Sequence, residues 1–377
     1  MKNWIFQTII LLYFRIKFRK LNSEKRTDVY FSRGTFKHDI NIFTSEVTDV
    51  KPVVLDMNLI RRLLRLIIPD LYLEQIISLG YQEILHARLE RLVKYWVDLT
   101  KNNELNLIFG GVDYFEVSIF FSREIFGDKT KYIAYFHENY TIPYVEEVSI
   151  NLYRDVKHKH KFDELYVYGP SSFNILLPFT LEANGPKKLV MPRLLNIMKE
   201  FTERKIRTGK VKVLYLTFPG YDYLAPLTFS NILLSLNEIS HNYEIFAKFK
   251  NINQANYYKN KIDNKNSEMK FVDGNVLDFL KKTDIVISFN SLSFYEALLS
   301  DALIIIPRFS DTDHANNILQ ETDDSLNEIY EFKTVVFAYS IEELIKYISN
   351  FEREKHGVEI DKEKKYRKEL LSKKFYI

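Results

Sequence analysis

The chain has 377 residues, 46% apolar and 27% charged, which describes a pair of ordinary globular domains and excludes wholesale disorder or a fibrous repeat. It holds no Cys, so disulfides, thiolate metal sites and cysteine nucleophiles are excluded. A net charge of +3 gives no nucleic-acid footprint, and the 11 glycines form neither GxGxxG nor GxxxxGK, which removes the dinucleotide fingerprint and the Walker loop.

From Trp4 to Phe14 the chain is apolar except at Gln7 and Thr8. That stretch is too short to span a bilayer, which needs about 20 residues. Arg15, Lys17, Arg19 and Lys20 follow it, and no small-residue cleavage site is present. Residues 1–26 are therefore expected to form an amphipathic basic segment. Residues 1–20 would meet a membrane surface, with aromatics toward lipid and cations toward anionic headgroups. The competing expectation is an ordinary helix docked on the protein's own core.

Strands and helices then alternate twice, which predicts α/β architecture. The first set of strands is expected at 28–32, 53–56, 105–109, 131–136, 164–168 and 189–191. Between them, residues 74–100 read as one amphipathic helix, with Ile77, Tyr81, Leu85, Leu89, Leu92 and Trp96 on one face. A charged join at 199–210 leads to the second set, at 212–217, 244–249, 269–272, 284–288, 302–306 and 334–337. Runs such as Ile285-Val286-Ile287 lack alternation, as parallel strands covered on both faces do. A helix over 341–351 carries Ser340 and Glu343 at capping-box spacing. A charged, helical and solvated tail closes the chain. The expected domains are 27–200 and 201–345, followed by the tail at 346–377. They form two Rossmann-like doubly wound domains facing a cleft, with ligands at the carboxyl ends of the strands.

The segment most informative about chemistry runs from Asp284 to Arg308. It reads as a buried strand, a polar turn, a helix and a second buried strand. The turn places Ser288, Asn290, Ser291 and helix amides at a strand's carboxyl end, a donor set suited to phosphate. Glu296, one turn into the helix, is placed to accept hydrogen bonds from a ribose diol. Ser293 and Glu296 also match a capping box, which accounts for both without a ligand.

The pattern strand–S-x-N-S–x₄–E-A-L-L–x₃–strand–P resembles the donor-binding element of GT-B glycosyltransferases, especially those building bacterial capsules and lipopolysaccharides. Nucleotide-sugar 2-epimerases and polyol-phosphate transferases share the layout. Upstream, Phe162 to Gly169 followed by Met191-Pro192-Arg193-Leu194 looks like the end of the first domain in those families, with Val190-Met191 where a glycine is usual. In element order the resemblance covers residues 100 to 345.

The resemblance implies that Glu296 binds donor ribose and that Ser288, Asn290, Ser291 and Ser293 hold phosphate or base. It implies close backbone approach at Gly220 to the donor phosphates, where the alternative is an ordinary turn. Lys248, after the second strand of the second domain, would stabilise the leaving nucleotide, although the family's His-Pro is missing there and an exposed lysine is the alternative. Arg308 is a further phosphate ligand. A base must remove the acceptor hydroxyl's proton if the reaction inverts the anomeric centre. His137 and Glu138 follow the strand 131–136, and Asp113 and Glu116 follow Gly110-Gly111 as alternatives. Ser32-Arg33-Gly34 is a further acceptor contact.

Asp311-Thr312-Asp313 spells a metal-binding DxD but reads as a helix cap, and His158 with His160 reads as a basic loop. No metal and no separate cofactor are expected. The expected activity is transfer from a nucleotide-sugar donor to a glycan or lipid-linked acceptor, on the inner face of the cytoplasmic membrane and without nucleic acid. The alternatives are a polyol-phosphate transferase or epimerase of the same fold, or a non-catalytic binding subunit.

Overall fold

The computed structural model describes residues 2–19, 26–32, 52–66, 87–110, 123–127, 129–136, 161–181, 185–201, 207–217, 225–262, 267–289, 292–310 and 331–377. Two compact units divide the chain. The first holds residues 1–141, 145–190 and Tyr376, and the second holds 142–144, 191–375 and 377.

In the first unit, helix α1 (Lys2–Phe18) precedes strands β1 (Arg26–Ser32) and β2 (Val53–Asp56), then α2 (Met57–Arg65) and α3 (Glu90–Asn102). Strand β3 (Glu104–Phe109), α4 (Arg123–Phe126), β4 (Thr130–Phe136), β5 (Glu164–Val167), α5 (Pro170–Leu176) and β6 (Lys187–Lys188) complete it. The sheet is parallel throughout, in the order β2-β1-β3-β4-β5-β6. Its core is aromatic: Phe31 of β1 stacks on Phe109 of β3, with ring centres 4.9 Å apart. Trp96 of α3 lies edge-on to Phe14 and Phe18 of α1.

The second unit begins with α6 (Pro192–Glu200), then β7 (Lys212–Leu216), α7 (Pro226–Glu238), β8 (Glu244–Lys248), α8 (Ile252–Ile262) and β9 (Lys270–Val272). It continues with α9 (Val276–Leu280), β10 (Ile285–Ile287), α10 (Leu292–Leu298), β11 (Leu303–Pro307), β12 (Val335–Ala338), α11 (Ile341–Ser349) and α12 (Arg353–Lys374). The parallel order β12-β11-β10-β7-β8-β9, read from the β9 edge, is the 3-2-1-4-5-6 arrangement of a dinucleotide-type doubly wound sheet. Strand β10 shows why unbroken apolar runs predicted this: Ile285, Val286 and Ile287 are all buried.

Three details differ from the sequence expectations, and a fourth is described only in part. Strand β6 is the pair 187–188 rather than 189–191. Leu189 still donates its N–H to Val167 O of β5 at 2.8 Å, but it and Met191 are buried apolar residues beyond the paired strand, and Met191 is the N-cap of α6. The division between units falls after Val190, earlier than the expected 200/201, because α6 packs on α10 of the second unit. Of the expected helix 74–100, residues 87–100 are described and fall mostly in α3 (Glu90–Asn102), and residues 74–86 lie outside the described residues. The closing tail is helical as expected, yet it is not wholly solvated: α12 buries Ile360, Glu363, Arg367, Leu370 and Leu371.

Helix α1 docks on the core through Ile10, Phe14 and Phe18, so those two Phe side chains face protein. Gln7 Nε2 donates to Arg88 O at 3.0 Å, and Arg91 Nη1 donates to Thr8 Oγ1 at 2.8 Å. Among the described residues no helix is long and apolar enough to cross a membrane.

The buried charges of α12 explain its docking. Glu363 accepts from the Lys333 backbone N–H at 2.6 Å, from the Thr334 hydroxyl and from Arg367. Arg367 also donates to Leu298 O at 3.2 Å, and burial lowers its guanidinium to about 10. Removing one member strands the other charge away from water. Glu363→Ala should therefore destabilise the chain by about 3 kcal/mol, and the paired change Glu363→Leu with Arg367→Met should recover most of that loss, measured by urea unfolding.

Candidate functional site

The strand order changes direction between β7 and β10, and α/β sheets bind ligands beyond the carboxyl ends of the strands flanking such a point. Register brings those ends level: Ile285 pairs Val213 and Ile287 pairs Tyr215, so Ser288 leaves the sheet beside Leu216. On the other side of β7, Leu216 pairs Lys248. Thr217 closes this edge, donating from its N–H and its hydroxyl to Lys248 O at 3.1 and 2.8 Å.

Charged side chains converge there. Glu296 on α10 is 1% exposed, and its Oε1 lies 2.8 Å from Nη2 of Arg193 in the first turn of α6. Arg193 keeps 31% of its side chain in solvent. Lys248, at the end of β8, feels both. Burial is the largest influence and lowers its ammonium below the ordinary lysine value; Glu296 opposes that, Arg193 adds to it, and Asp273 opposes it more weakly. Two cations and two carboxylates thus share one small region of the second unit. Arg and Lys suit phosphate oxygens, and a buried carboxylate suits hydroxyl donors.

The capping-box account of Ser293 and Glu296 does not hold. Leu292 is already helical, so Ser293 lies inside α10 rather than at its cap, and the Glu296 carboxylate pairs with Arg193. Ser288 is buried, and its hydroxyl donates to Phe289 O at 3.1 Å, an internal partner rather than a free donor. Arg308 follows β11, on the far side of β10 from β7. Its guanidinium lies over Phe337 at 5.0 Å and Tyr339 at 6.0 Å, on the β12 side. The structure therefore brings together Lys248 and Glu296 but stacks Arg308 elsewhere. Asp113, His137, Glu138, Gly220, Asn290 and Ser291 lie outside the described residues, as do Asp311, Asp313, His158 and His160.

Arg193 and Asp273 are the residues that sequence reasoning missed. Arg193 stood inside the Met-Pro-Arg-Leu turn without a role of its own. An arginine in the first turn of a helix opposes the helix dipole, and that misfit was the available signal.

No family model matches the chain, and no curated protein matches it. Among solved structures it is similar to the wall teichoic acid polymerase TagF, at 12% identity and a TM-score of 0.45, over 96% of this chain and 90% of that one. It is similar to the UDP-GlcNAc 2-epimerase of Methanocaldococcus jannaschii at 13% identity and a TM-score of 0.46, over 88% and 94% of the two chains. The third is MnaA of S. aureus, in a co-structure with UDP, at 12% identity and a TM-score of 0.49, over 89% and 91%. The fold is defined by the two six-stranded parallel orders described above.

The unequal exposure of the ion pair makes a prediction. Without Glu296, Arg193 can turn to water; without Arg193, Glu296 stays buried and charged. Arg193→Met should cost about 2 kcal/mol in denaturant unfolding, and Glu296→Gln should cost clearly less.

Proposed function

We propose that the chain is a GT-B-type glycosyltransferase that moves a sugar from a nucleotide-sugar donor to a glycan or lipid-linked acceptor. Its product would be a bacterial cell-surface polysaccharide of the capsule or lipopolysaccharide kind. One observation carries this: a buried carboxylate, Glu296, is held by Arg193 beside the half-buried cation Lys248, at strand ends bordering the order change of a 3-2-1-4-5-6 sheet. The resemblance of residues 284–308 to a donor-binding element supports the same conclusion.

In this proposal Glu296 accepts hydrogen bonds from the donor's ribose diol. A carboxylate offers about four acceptor positions, so the bond to Arg193 leaves capacity for hydroxyls. The acceptor hydroxyl attacks the anomeric carbon while the bond from that carbon to the donor phosphate breaks, and negative charge grows on the departing nucleotide. Lys248 and Arg193 stabilise that charge. The acceptor's proton passes to a carboxylate or imidazole, with Glu138, His137 and Asp113 as the candidates. Cations can fill the role of a metal in this chemistry, so no metal or separate cofactor is invoked. We place the enzyme on the inner face of the cytoplasmic membrane, where a lipid-linked acceptor is found.

A thermal-shift panel of UDP-, GDP-, CMP- and CDP-linked compounds tests the donor assignment. One nucleotide at a hundredfold excess over its Kd should stabilise the protein by about 2.7 kcal/mol. Glu296→Ala should remove that response; no stabilisation by any compound would overturn the donor assignment. Nucleotide binding without turnover of any sugar would favour a non-catalytic subunit.

The pH dependence is a separate check on Lys248. Its ammonium is charged below its pKa, and that pKa is lowered, so the cation is lost at a lower pH than for an ordinary lysine. Nucleotide affinity, measured by calorimetric titration, should therefore decline on the alkaline side before about pH 10.4, and Lys248→Met should flatten that limb.

A further inference from the structure

Helix α1 carries two apolar stripes. At about 100° per residue, Ile10, Phe14 and Phe18 fall on one side and Ile5, Ile9, Leu12 and Ile16 on the opposite side. The first stripe is buried in the first unit's core. The second is exposed along its whole length, from 42% at Ile9 to 72% at Ile16. Arg19 and then Arg15 border this outer stripe on one edge, Lys17 lies beyond Tyr13 on the other side, and all three cations are exposed.

We propose that this outer face of α1 is a docking surface for an anionic bilayer. The isoleucines and Leu12 enter the acyl boundary while the basic residues meet headgroup phosphates. The assignment differs from an ordinary interfacial helix in which side is used: the aromatic face belongs to the protein and the aliphatic face to lipid. It stands independently of the nucleotide chemistry.

Charge selects this occupant. Residues 1–23 contain Lys2, Arg15, Lys17, Arg19 and Lys20 and no acidic residue. A second copy seated on this face would bring like charges together, whereas an anionic lipid surface complements them. The stripe is also continuous at helical spacing, which distinguishes it from scattered surface apolar residues. In the neighbouring α2 and its C-cap, Leu59, Arg62 and Leu66 are exposed as well. Because α1 is fixed to α3 on its other side, a lipid contact needs no helix to unfold or swing out.

The test is co-sedimentation of the full chain with vesicles of phosphatidylcholine, with and without about 30 mol % phosphatidylglycerol. Binding should require the anionic lipid and should weaken at least tenfold in about 0.5 M salt. Ile9→Glu with Leu12→Glu should lower binding to the anionic vesicles by at least tenfold while leaving the melting temperature unchanged, because both side chains are solvated in the free protein. Arg15→Glu with Arg19→Glu should reduce it to the level seen with neutral vesicles. The proposal is overturned if the unmodified chain does not pellet with anionic vesicles, or if the two apolar substitutions leave pelleting intact. It is equally overturned if sedimentation velocity shows a dimer that Ile9→Glu with Leu12→Glu dissociates while no vesicle binds. A nucleotide response that survives in a chain unable to bind vesicles would separate this failure from any failure of the donor assignment.

Discussion

The carboxylate of Asp284 is the fixed point of the second unit. It stands immediately before β10, 3% exposed, and accepts from the Lys212 backbone N–H at 2.9 Å and from Arg353 at 2.8 and 3.1 Å. Arg207 adds a further cation at 3.7 Å. Lys212 opens β7, so one side chain sets the relative register of the two strands that flank the order change. A slip of one residue there would turn every buried side chain of β10 to the wrong face, and Ser288 would no longer leave the sheet beside Leu216. Burying an acid is costly unless it is paired and fully hydrogen-bonded, and here both conditions are met. The same carboxylate captures the first residue of α12, so the closing helix and the strand pair share one anchor.

What the anchor fixes at one end of the sheet is used at the other. Parallel strands that start level and run for three to five residues also end level, which is why Thr217, Lys248 and Ser288 share an edge. Onto that edge α10 and α6 each bring one charge, and the buried Glu296 depends on the pair more than the part-exposed Arg193 does. Arg193 offsets the desolvation of Glu296, while the burial that Glu296 experiences also depresses Lys248. The group is therefore coupled: an anion arriving near Lys248 and Arg193 changes the field at Glu296, and a hydroxyl pair at Glu296 changes the field at Lys248.

Most of this architecture was legible in the sequence for a simple reason. Strands such as 285–287 and 303–307 are unbroken apolar runs, and burial on both faces of a parallel sheet demands that composition. Legibility failed where charge substitutes for apolar burial. Glu363 and Arg367 occupy inward positions of α12 at helical spacing, but their composition signals solvent, since only their pairing and their hydrogen bonds to distant Lys333, Thr334 and Leu298 make burial tolerable. It failed again at Arg193, whose partner lies far along the chain, so no local pattern links the two. Glu296 was found through its local motif, yet its partner had to come from three dimensions. Strand β6 was displaced because Leu189 and Met191 carry the apolar signal of the region while two lysines make the ladder.

Helix α1 shows the same limit from the opposite direction. Apolar residues on two opposed faces cancel in any one-sided measure of amphipathicity, so its sequence supports both a core helix and a surface helix. The packing assigns each face separately. Trp96 can fill the space between Phe14, Phe18 and Phe31 only if the aromatic face turns inward, and this leaves the aliphatic stripe outward. The polar pins point to the same orientation: Tyr13 Oη accepts from the Asp56 N–H at 2.8 Å, and Arg91 lies over the Trp4 ring at 4.6 Å. A helix held at both ends and along one face cannot act as a loose tether. Any surface that engages its outer stripe would set the orientation of the whole first unit, because the rotation of α1 about its own axis is already determined by the core beneath it.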